Sequence, residues 1–201
     1  MKKKYAAGQV SQSFWQKEFG ISVSLFLAGK SPTEMREMSL NENIYLQASK
    51  GSRIRVAQAM NQRLSVIPDS LLDLYNDVDS QNQKLINLTA IMKLNQLLED
   101  FIIEDFRNEI MLGDSKIEDY EWKAFMRRKE GESEIVDNWT DETKRRMLVL
   151  LKTFVRSSGL SVVDEQGVDI IQRHLLDPRV LNELEKENLG IYITAFTGVY
   201  E

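Results

Sequence analysis

The spacing of the apolar residues constrains the fold of this 201-residue chain more than any other feature. Along most of the sequence an apolar side chain recurs at every third or fourth position, which is the period of a helix that buries one face. Three prolines and ten glycines are too few for the many tight turns of a sandwich or barrel. Pro32, Pro68 and Pro178 each fall at the start of a predicted helix, where proline is tolerated. We therefore expect an all-α fold, built as a compact multi-helix bundle.

Capping residues and glycines divide this pattern into separate predicted helices. Ser31, Pro32 and Glu34 form a capping box with proline at the first helical position, and Ser115 and Glu118 have the pattern of a second capping box. Between the predicted helices, residues 129–138 read as a polar link. The predicted helices cover approximately 13–28, 32–39, a short segment capped by Asn41 or Asn43, 52–64, 69–78, 81–112, 120–126, 142–158 and 178–188, followed by a short apolar segment at 191–199.

The stretch 160–171 is the one place where the sequence favours strands. Two pairs of apolar residues flank Asp164-Glu165-Gln166-Gly167, a sequence that can close a β-hairpin. Residues 168–176 are equally compatible with one more helix. We expect at most one short β-hairpin in an otherwise helical protein.

Charge is distributed unevenly along the chain. Residues 1–68 carry a net charge of +6 and residues 69–201 a net charge of −11, which together give −5. We expect a single all-α domain over residues 1–201, made of a basic N-terminal part (about 1–68) and an acidic C-terminal part (about 69–201). Such a chain can present one positive surface, because fields are screened within about 8 Å. The alternative is that the two halves attract each other or solvate separate faces.

Several classes of function are disfavoured by composition. The chain has no cysteine and a single histidine, His174, which excludes thiolate catalysis, cysteine-ligated zinc and a multi-histidine metal site. It has no phosphate-binding glycine loop and no nucleophile elbow, and two Glu-x-Lys tripeptides at 121–123 and 142–144 fall in helical patterns. We expect no enzyme activity, no metal and no cofactor. No apolar run approaches the roughly 20 residues of a membrane span, and the start lacks a secretory segment, so we expect a cytoplasmic protein with no membrane partner.

The strongest candidate site lies between Ile44 and Pro68, a stretch of 25 residues without an acid. On a helix from Ser52, the side chains of Arg55, Gln58 and Gln62 share one polar face. Arginine and glutamine together can clamp phosphates or hydrogen-bond to guanine and adenine edges. The expected nucleic-acid-binding residues are Lys50, Arg53, Arg55, Gln58, Gln62 and Arg63, with Lys2, Lys3 and Lys4 as a tail that attracts phosphate.

Two further interpretations of the basic residues remain open. Arg63 flanks the polar face and Arg53 points away from it, and both can instead pair with acids of the same chain. Lys144, Arg145, Arg146, Lys152 and Arg156 can form a second basic ridge on a later helix.

Short landmarks follow one another along the chain in a recognisable order. They are Tyr5-Ala6, Phe14-Trp15, Glu18, Leu27-Ala28-Gly29-Lys30-Ser31, Glu42-Asn43, Ser52-Arg53, Arg63-Leu64, the long leucine-rich helix, Trp139-Thr140, Gly159-Leu160, Leu176-Asp177-Pro178 and Gly190. This order resembles the BrxA family of BREX bacteriophage-exclusion systems. The resemblance implies an all-helical fold similar to that of the antitermination factor NusB. It also implies a non-enzymatic accessory role in phage defence, with double-stranded DNA and other BREX proteins as partners.

Three functions are therefore open to this chain. The first is weak binding of duplex DNA, with low sequence specificity, through phosphates and the basic N-terminal third. The second is a protein-interaction module for other defence components, and the third is RNA binding, which the NusB-like fold prompts.

Overall fold

The computed structural model describes residues 4–199, so Lys2 and Lys3 lie outside the described residues. The described chain is mostly helical and contains one small three-stranded sheet, which confirms the predicted helical fold class. Its internal contacts divide the chain into two compact units, Trp15–Leu94 and a second unit that combines Met1–Phe14 with Asn95–Glu201. The boundary at residues 94 and 95 differs from the change of net charge near residue 68. That residues 1–201 form one domain remains a prediction, and so does the similarity of the fold to that of NusB.

The first unit contains five α-helices connected by short turns. A capping box at Ser31 and Glu34 begins α2, as the sequence predicted, and the Ser49 hydroxyl accepts a hydrogen bond from the Ser52 amide at the start of α3. α3 packs against α1, α2 and α5. The helices are α1 (Gln16–Leu27), α2 (Pro32–Asn41), α3 (Lys50–Leu64), α4 (Asp69–Leu74), which continues as a 3₁₀ turn at Tyr75–Asp77, and α5 (Ser80–Leu94).

The short helix predicted after Asn41 or Asn43 is wrong. Asn43 adopts a left-handed backbone with φ 55°, and its side-chain amide bonds the Gln47 backbone in both directions. Because asparagine satisfies these backbone groups locally, residues 43–49 form a loop instead of a helical turn.

The second unit contains the remaining helices and the sheet. The rings of Phe101 and Trp122 stack in its core with their centroids 3.9 Å apart. Its helices are a 3₁₀ segment (Ala7–Ser11), α6 (Gln96–Asp100), a π-helix (Phe101–Phe106), α7 (Arg107–Leu112), α8 (Asp119–Glu132), α9 (Glu134–Asp137), α10 (Asp141–Ser157), α11 (Pro178–Lys186) and α12 (Gly190–Thr197).

The single long helix predicted over 81–112 is interrupted. Asn95 is extended, with φ −121° and ψ 99°, and its side chain accepts a hydrogen bond from the Leu98 amide as the N-cap of α6. Asparagine favours such caps over helix interiors because its side chain competes for backbone hydrogen bonds. The apolar spacing continues through the break, so periodicity alone did not reveal it.

Two expectations around α8 are also wrong. The predicted capping box at Ser115 is replaced by one formed by Glu118 and Glu121, and the Ser115 carbonyl accepts a hydrogen bond from the Ile171 amide. The predicted polar link at 129–138 is largely helical, since α8 runs to Glu132 and α9 follows.

A β-hairpin forms at the predicted place, and the alternative helix over 168–176 does not. β2 (Ser161–Val163) pairs antiparallel with β3 (Asp169–Ile171), and β1 (Lys116–Ile117) pairs with the other edge of β3, a strand that the sequence did not indicate. In the turn, Gly167 has φ 85°, and the Asp164 side chain accepts hydrogen bonds from the amides of Gln166 and Val168.

A buried carboxylate anchors the hairpin to α10. Asp169 is 1% exposed, and Arg156 donates to both of its oxygens at 2.8 and 2.9 Å. The Ser161 hydroxyl donates a third hydrogen bond at 2.9 Å. Replacing this buried carboxylate is costly, because the Ser161 hydroxyl and the partly exposed Arg156 guanidinium both lose their acceptor.

We expect Asp169→Asn to destabilise the protein by about 2–3 kcal/mol, because the Arg156 guanidinium loses its charged partner. Chemical denaturation followed by circular dichroism measures this loss. The matched control is Glu142→Gln, which removes the exposed partner of Arg145 and should leave the unfolding midpoint nearly unchanged. Equal unfolding midpoints for the Asp169→Asn variant and the wild type would contradict the anchor.

Candidate nucleic-acid interface

The amphipathic character of α3 determines which of its polar side chains reach solvent. Its buried residues are Val56, Ala57, Ala59, Met60, Arg63 and Leu64. On the opposite face, Arg55, Gln58 and Gln62 are exposed, and Lys50 is exposed at the first position of the helix. The structure therefore brings these four predicted residues to the solvent side of one helix.

Arg53 contacts α2 instead of the exposed face. Its guanidinium donates a hydrogen bond of 3.0 Å to the Leu40 carbonyl, and the side chain is half-buried. In return, the Ser39 hydroxyl donates to the Arg53 carbonyl at 2.9 Å. Arg53 thus joins α2 to α3 and lies away from the exposed polar face, and its expected role in nucleic-acid binding stays a prediction.

Arg63 is buried, so the expectation that it neutralises a phosphate is corrected. Arg63 is only 3% exposed, and its guanidinium donates a hydrogen bond of 3.1 Å to the side-chain oxygen of Asn87 on α5. The guanidinium carbon lies 5.6 Å from the centroid of the Trp15 ring, a cation–π distance. Burial lowers the pKa of Arg63. Asn87 in turn donates to Gln16 at 3.0 Å, which completes a polar network inside the first unit.

The basic N-terminal residues are only partly described. Lys4 is exposed and lines a cleft of about 440 Å³ in the second unit. Tyr5 in the same cleft donates a hydrogen bond of 2.6 Å to Asp100, and Lys129 is buried among three carboxylates there. Lys2 and Lys3 lie outside the described residues.

The second basic ridge considered for α10 is largely neutralised by acids of the same unit. Ion pairs of 2.7 to 3.7 Å hold four of its five cations, whereas Arg146 is exposed and has no ion pair within residues 4–199. The pairs are Lys144–Glu130, Arg145–Glu142, Lys152–Asp119 and Arg156–Asp169.

The two Glu-x-Lys tripeptides are placed within α8 and α10. Glu121 accepts a hydrogen bond from the Glu118 amide in a capping box, and Glu142 pairs with Arg145. Glu121 and Glu142 thus each have a local structural role in the helix that contains them.

A groove between α2 and α3 contains residues that the sequence did not single out. We call this feature the α2–α3 groove; its volume is about 510 Å³. Arg36, Asn61 and Ser65 are the additions, and the only signals for Arg36 and Asn61 are their helical spacings from Pro32 (i,i+4) and Ile54 (i,i+7). The groove is lined by Pro32, Arg36, Ile54, Gln58, Asn61, Gln62 and Ser65.

The α2–α3 groove has a neutral-to-positive lining. Arg36 is exposed and has no ion pair within the described residues, and no carboxylate of those residues is among the lining. Glu37, the nearest acid to Arg36 in sequence, is exposed and is not among the lining, and Glu34 is engaged in the capping box and with Lys30. Hydrogen bonds from the backbone and hydroxyl of Ser31 lower the pKa of Glu34 to about 2.

Comparison with known proteins shows the family. A sequence model of the BrxA family matches residues 3–188, which is most of the chain. The chain belongs to the BrxA family. BrxA proteins are components of BREX phage-defence systems, and the BREX protein BrxA of Bacillus cereus (strain H3081.97) is 26% identical over 177 residues, or 88% of each sequence.

A solved structure shares the BrxA-family fold. The crystal structure of an uncharacterized protein from Magnetospirillum magneticum matches with a TM-score of 0.78 and 18% identity, covering 97% of this chain and 99% of that one. Among residues 4–199 of this BrxA-family protein, no helix is both long and apolar enough to cross a bilayer. The same residues hold no group of three or more His, Asp or Glu side chains placed to bind a metal ion.

We expect Arg63→Ala to destabilise the protein by about 2–4 kcal/mol, because the side-chain oxygen of Asn87 loses the Arg63 donor and the ring of Trp15 loses a packed neighbour. Arg55→Ala is the matched control on the exposed face and should change stability by less than about 0.5 kcal/mol. Urea unfolding of both variants measures the difference. A similar small effect for both substitutions would contradict the buried position of Arg63.

Proposed function

We propose that this BrxA-family protein is a non-enzymatic, DNA-binding accessory protein of a BREX system that acts on duplex DNA in the cytoplasm. Contact is made mainly through phosphates by the exposed face of α3. Lys50 and Arg55 neutralise phosphates, and Gln58 and Gln62 supply polar contacts. The observation that carries the proposal is the exposed position of these side chains on a helix whose whole sequence neighbourhood, residues 44–68, lacks an acid.

The state of the cations supports this surface over others. Lys50 and Arg55 have no ion pair or side-chain hydrogen bond within residues 4–199, whereas most cations of α10 are already paired. An unpaired cation binds phosphate without first breaking an internal ion pair, and the release of counterions from DNA then favours association. The α3 face is therefore the better phosphate-binding surface.

The expected affinity is low and depends strongly on salt. Two phosphate contacts predict that log K falls with log salt with a slope of about −2. The net charge of −5 also repels DNA at long range. Phosphate contacts carry no sequence information directly, so binding should differ little between unrelated duplexes. Contacts with other BREX proteins, which family membership favours, then supply the remaining affinity and placement.

We expect Arg55→Glu to weaken binding about tenfold on duplexes of unrelated sequence. The slope of log K against log salt should become less steep by about 1 or more, because at least one phosphate contact is lost. Electrophoretic mobility titrations of the full chain at several salt concentrations measure both effects. Arg146→Glu is the matched control, because it makes the same charge change at an exposed position of α10.

Three results would contradict this function. The first is duplex binding that does not depend on salt, and the second is an equal loss of affinity for Arg55→Glu and Arg146→Glu. The third is structured RNA that displaces duplex DNA at far lower concentration, which would instead assign the α3 face to RNA.

A further inference from the structure

Asn61, a lining residue of the α2–α3 groove, carries a buried hydrogen-bond acceptor that has no donor among the described residues. The side-chain nitrogen of Asn61 donates to the Pro32 carbonyl at 2.9 Å, which fixes the orientation of the amide. Its oxygen, Oδ1, is buried and accepts no hydrogen bond from the described residues. Native proteins leave few buried polar atoms unpaired, and the exceptions often mark a site that another group completes. A donor from outside the chain would satisfy this oxygen.

The remaining lining of the groove offers the other contacts that a flat heterocycle needs. Gln58 and Gln62 each carry an amide, which supplies both hydrogen-bond donors and acceptors to a ring edge. Ile54 and Pro32 supply apolar contacts for a ring face. Arg36 has no ion pair within the described residues, and arginine guanidinium planes stack on unpaired bases.

The charge of the groove limits what kind of ligand fits it. A basic peptide is disfavoured, because Arg36 repels it and no described carboxylate lines the groove. A base within an intact duplex cannot enter, because its faces are stacked and its pairing edge is occupied. A base that has left the stack has a free edge and free faces, and it remains attached to a phosphate backbone that Lys50 and Arg55 attract.

We propose that the α2–α3 groove binds one unpaired DNA base, next to the duplex held by the exposed face of α3. This inference rests on the proposed DNA-binding function and adds a substrate class to it, namely duplex DNA that contains an unpaired nucleotide. The base edge donates to Asn61 Oδ1 and contacts the glutamine amides, while Arg36 stacks on its face.

The test compares two duplexes of equal length, one fully paired and one with a single-nucleotide bulge, bound to the full chain at fixed salt. We expect the wild type to bind the bulged duplex about tenfold more tightly, since one stacked base contributes about this factor. Arg36→Gln should reduce the ratio of the two affinities towards one. The matched control is Arg146→Gln, which removes the same charge from α10 and should keep the ratio.

A second variant and a second readout keep the test independent of folding. Asn61→Leu should also lower the ratio, and its circular dichroism spectrum and unfolding midpoint show whether it folds. With 2-aminopurine as the bulged nucleotide, the fluorescence should change on binding to the wild type and much less on binding to the Arg36→Gln variant.

The outcomes separate this inference from the proposed function. If the protein binds neither duplex, the proposed DNA-binding function and the unpaired-base site are both contradicted. If both duplexes bind equally and Arg55→Glu still weakens them, DNA binding holds and the unpaired-base site is overturned. A preference for the bulge that survives in both Arg36→Gln and Asn61→Leu would overturn the placement of the base in this groove. Tighter binding of a bulged RNA duplex than of the bulged DNA duplex would overturn the assignment to DNA.

Discussion

The buried contact between Arg63 and Asn87 fixes the rotation of α3 about its own axis. Arg63 lies among the apolar residues of the buried face, and its guanidinium is held by Asn87 on one side and the Trp15 ring on another. Rotating α3 would break the hydrogen bond between Arg63 and Asn87 and remove the Arg63 guanidinium from the Trp15 ring inside the unit, which is strongly unfavourable. The side chains opposite Arg63 therefore face solvent, and these side chains can contact a phosphate.

The position of α2 beside α3 follows from a second set of polar contacts. The Arg53 side chain bonds the Leu40 carbonyl, Ser39 bonds the Arg53 carbonyl, and Asn61 bonds the Pro32 carbonyl. All three contacts join the same two helices, so they set the width of the α2–α3 groove. One helix thus provides both a phosphate-binding face and one wall of the groove, and the two proposed contacts with DNA are physically linked.

Sequence could predict the exposed face of α3 because helical spacing alone places Arg55, Gln58 and Gln62 together. The same spacing also held the information that Arg63 is buried. Arg63 lies three positions after Met60, four after Ala59 and seven after Val56, which is the apolar side of the helix. Its positive charge outweighed this pattern in the prediction. Asn61 and Arg36 needed the structure, because their shared groove depends on how two separate helices pack.

The difference between signals within one segment and contacts between distant segments also explains which helices and strands could be predicted. The helix start at Ser31 could be predicted because both partners of its capping box and the proline at the first helical position are close together in the sequence. The break at Asn95 could not be predicted, because apolar spacing indicates which side of a helix is buried and does not reveal a single extended residue within it. The strand at Lys116–Ile117 was missed because its partner, β3, lies more than fifty residues later in the sequence.

The most direct test of the central claim is a map of backbone amide chemical shifts as the full chain is titrated with a fully paired duplex. The account predicts that the largest changes fall on the exposed side of α3, around Lys50, Arg55, Gln58 and Gln62, and that they fade as salt is raised. Largest changes on α8 and α10, with α3 unaffected, would contradict it.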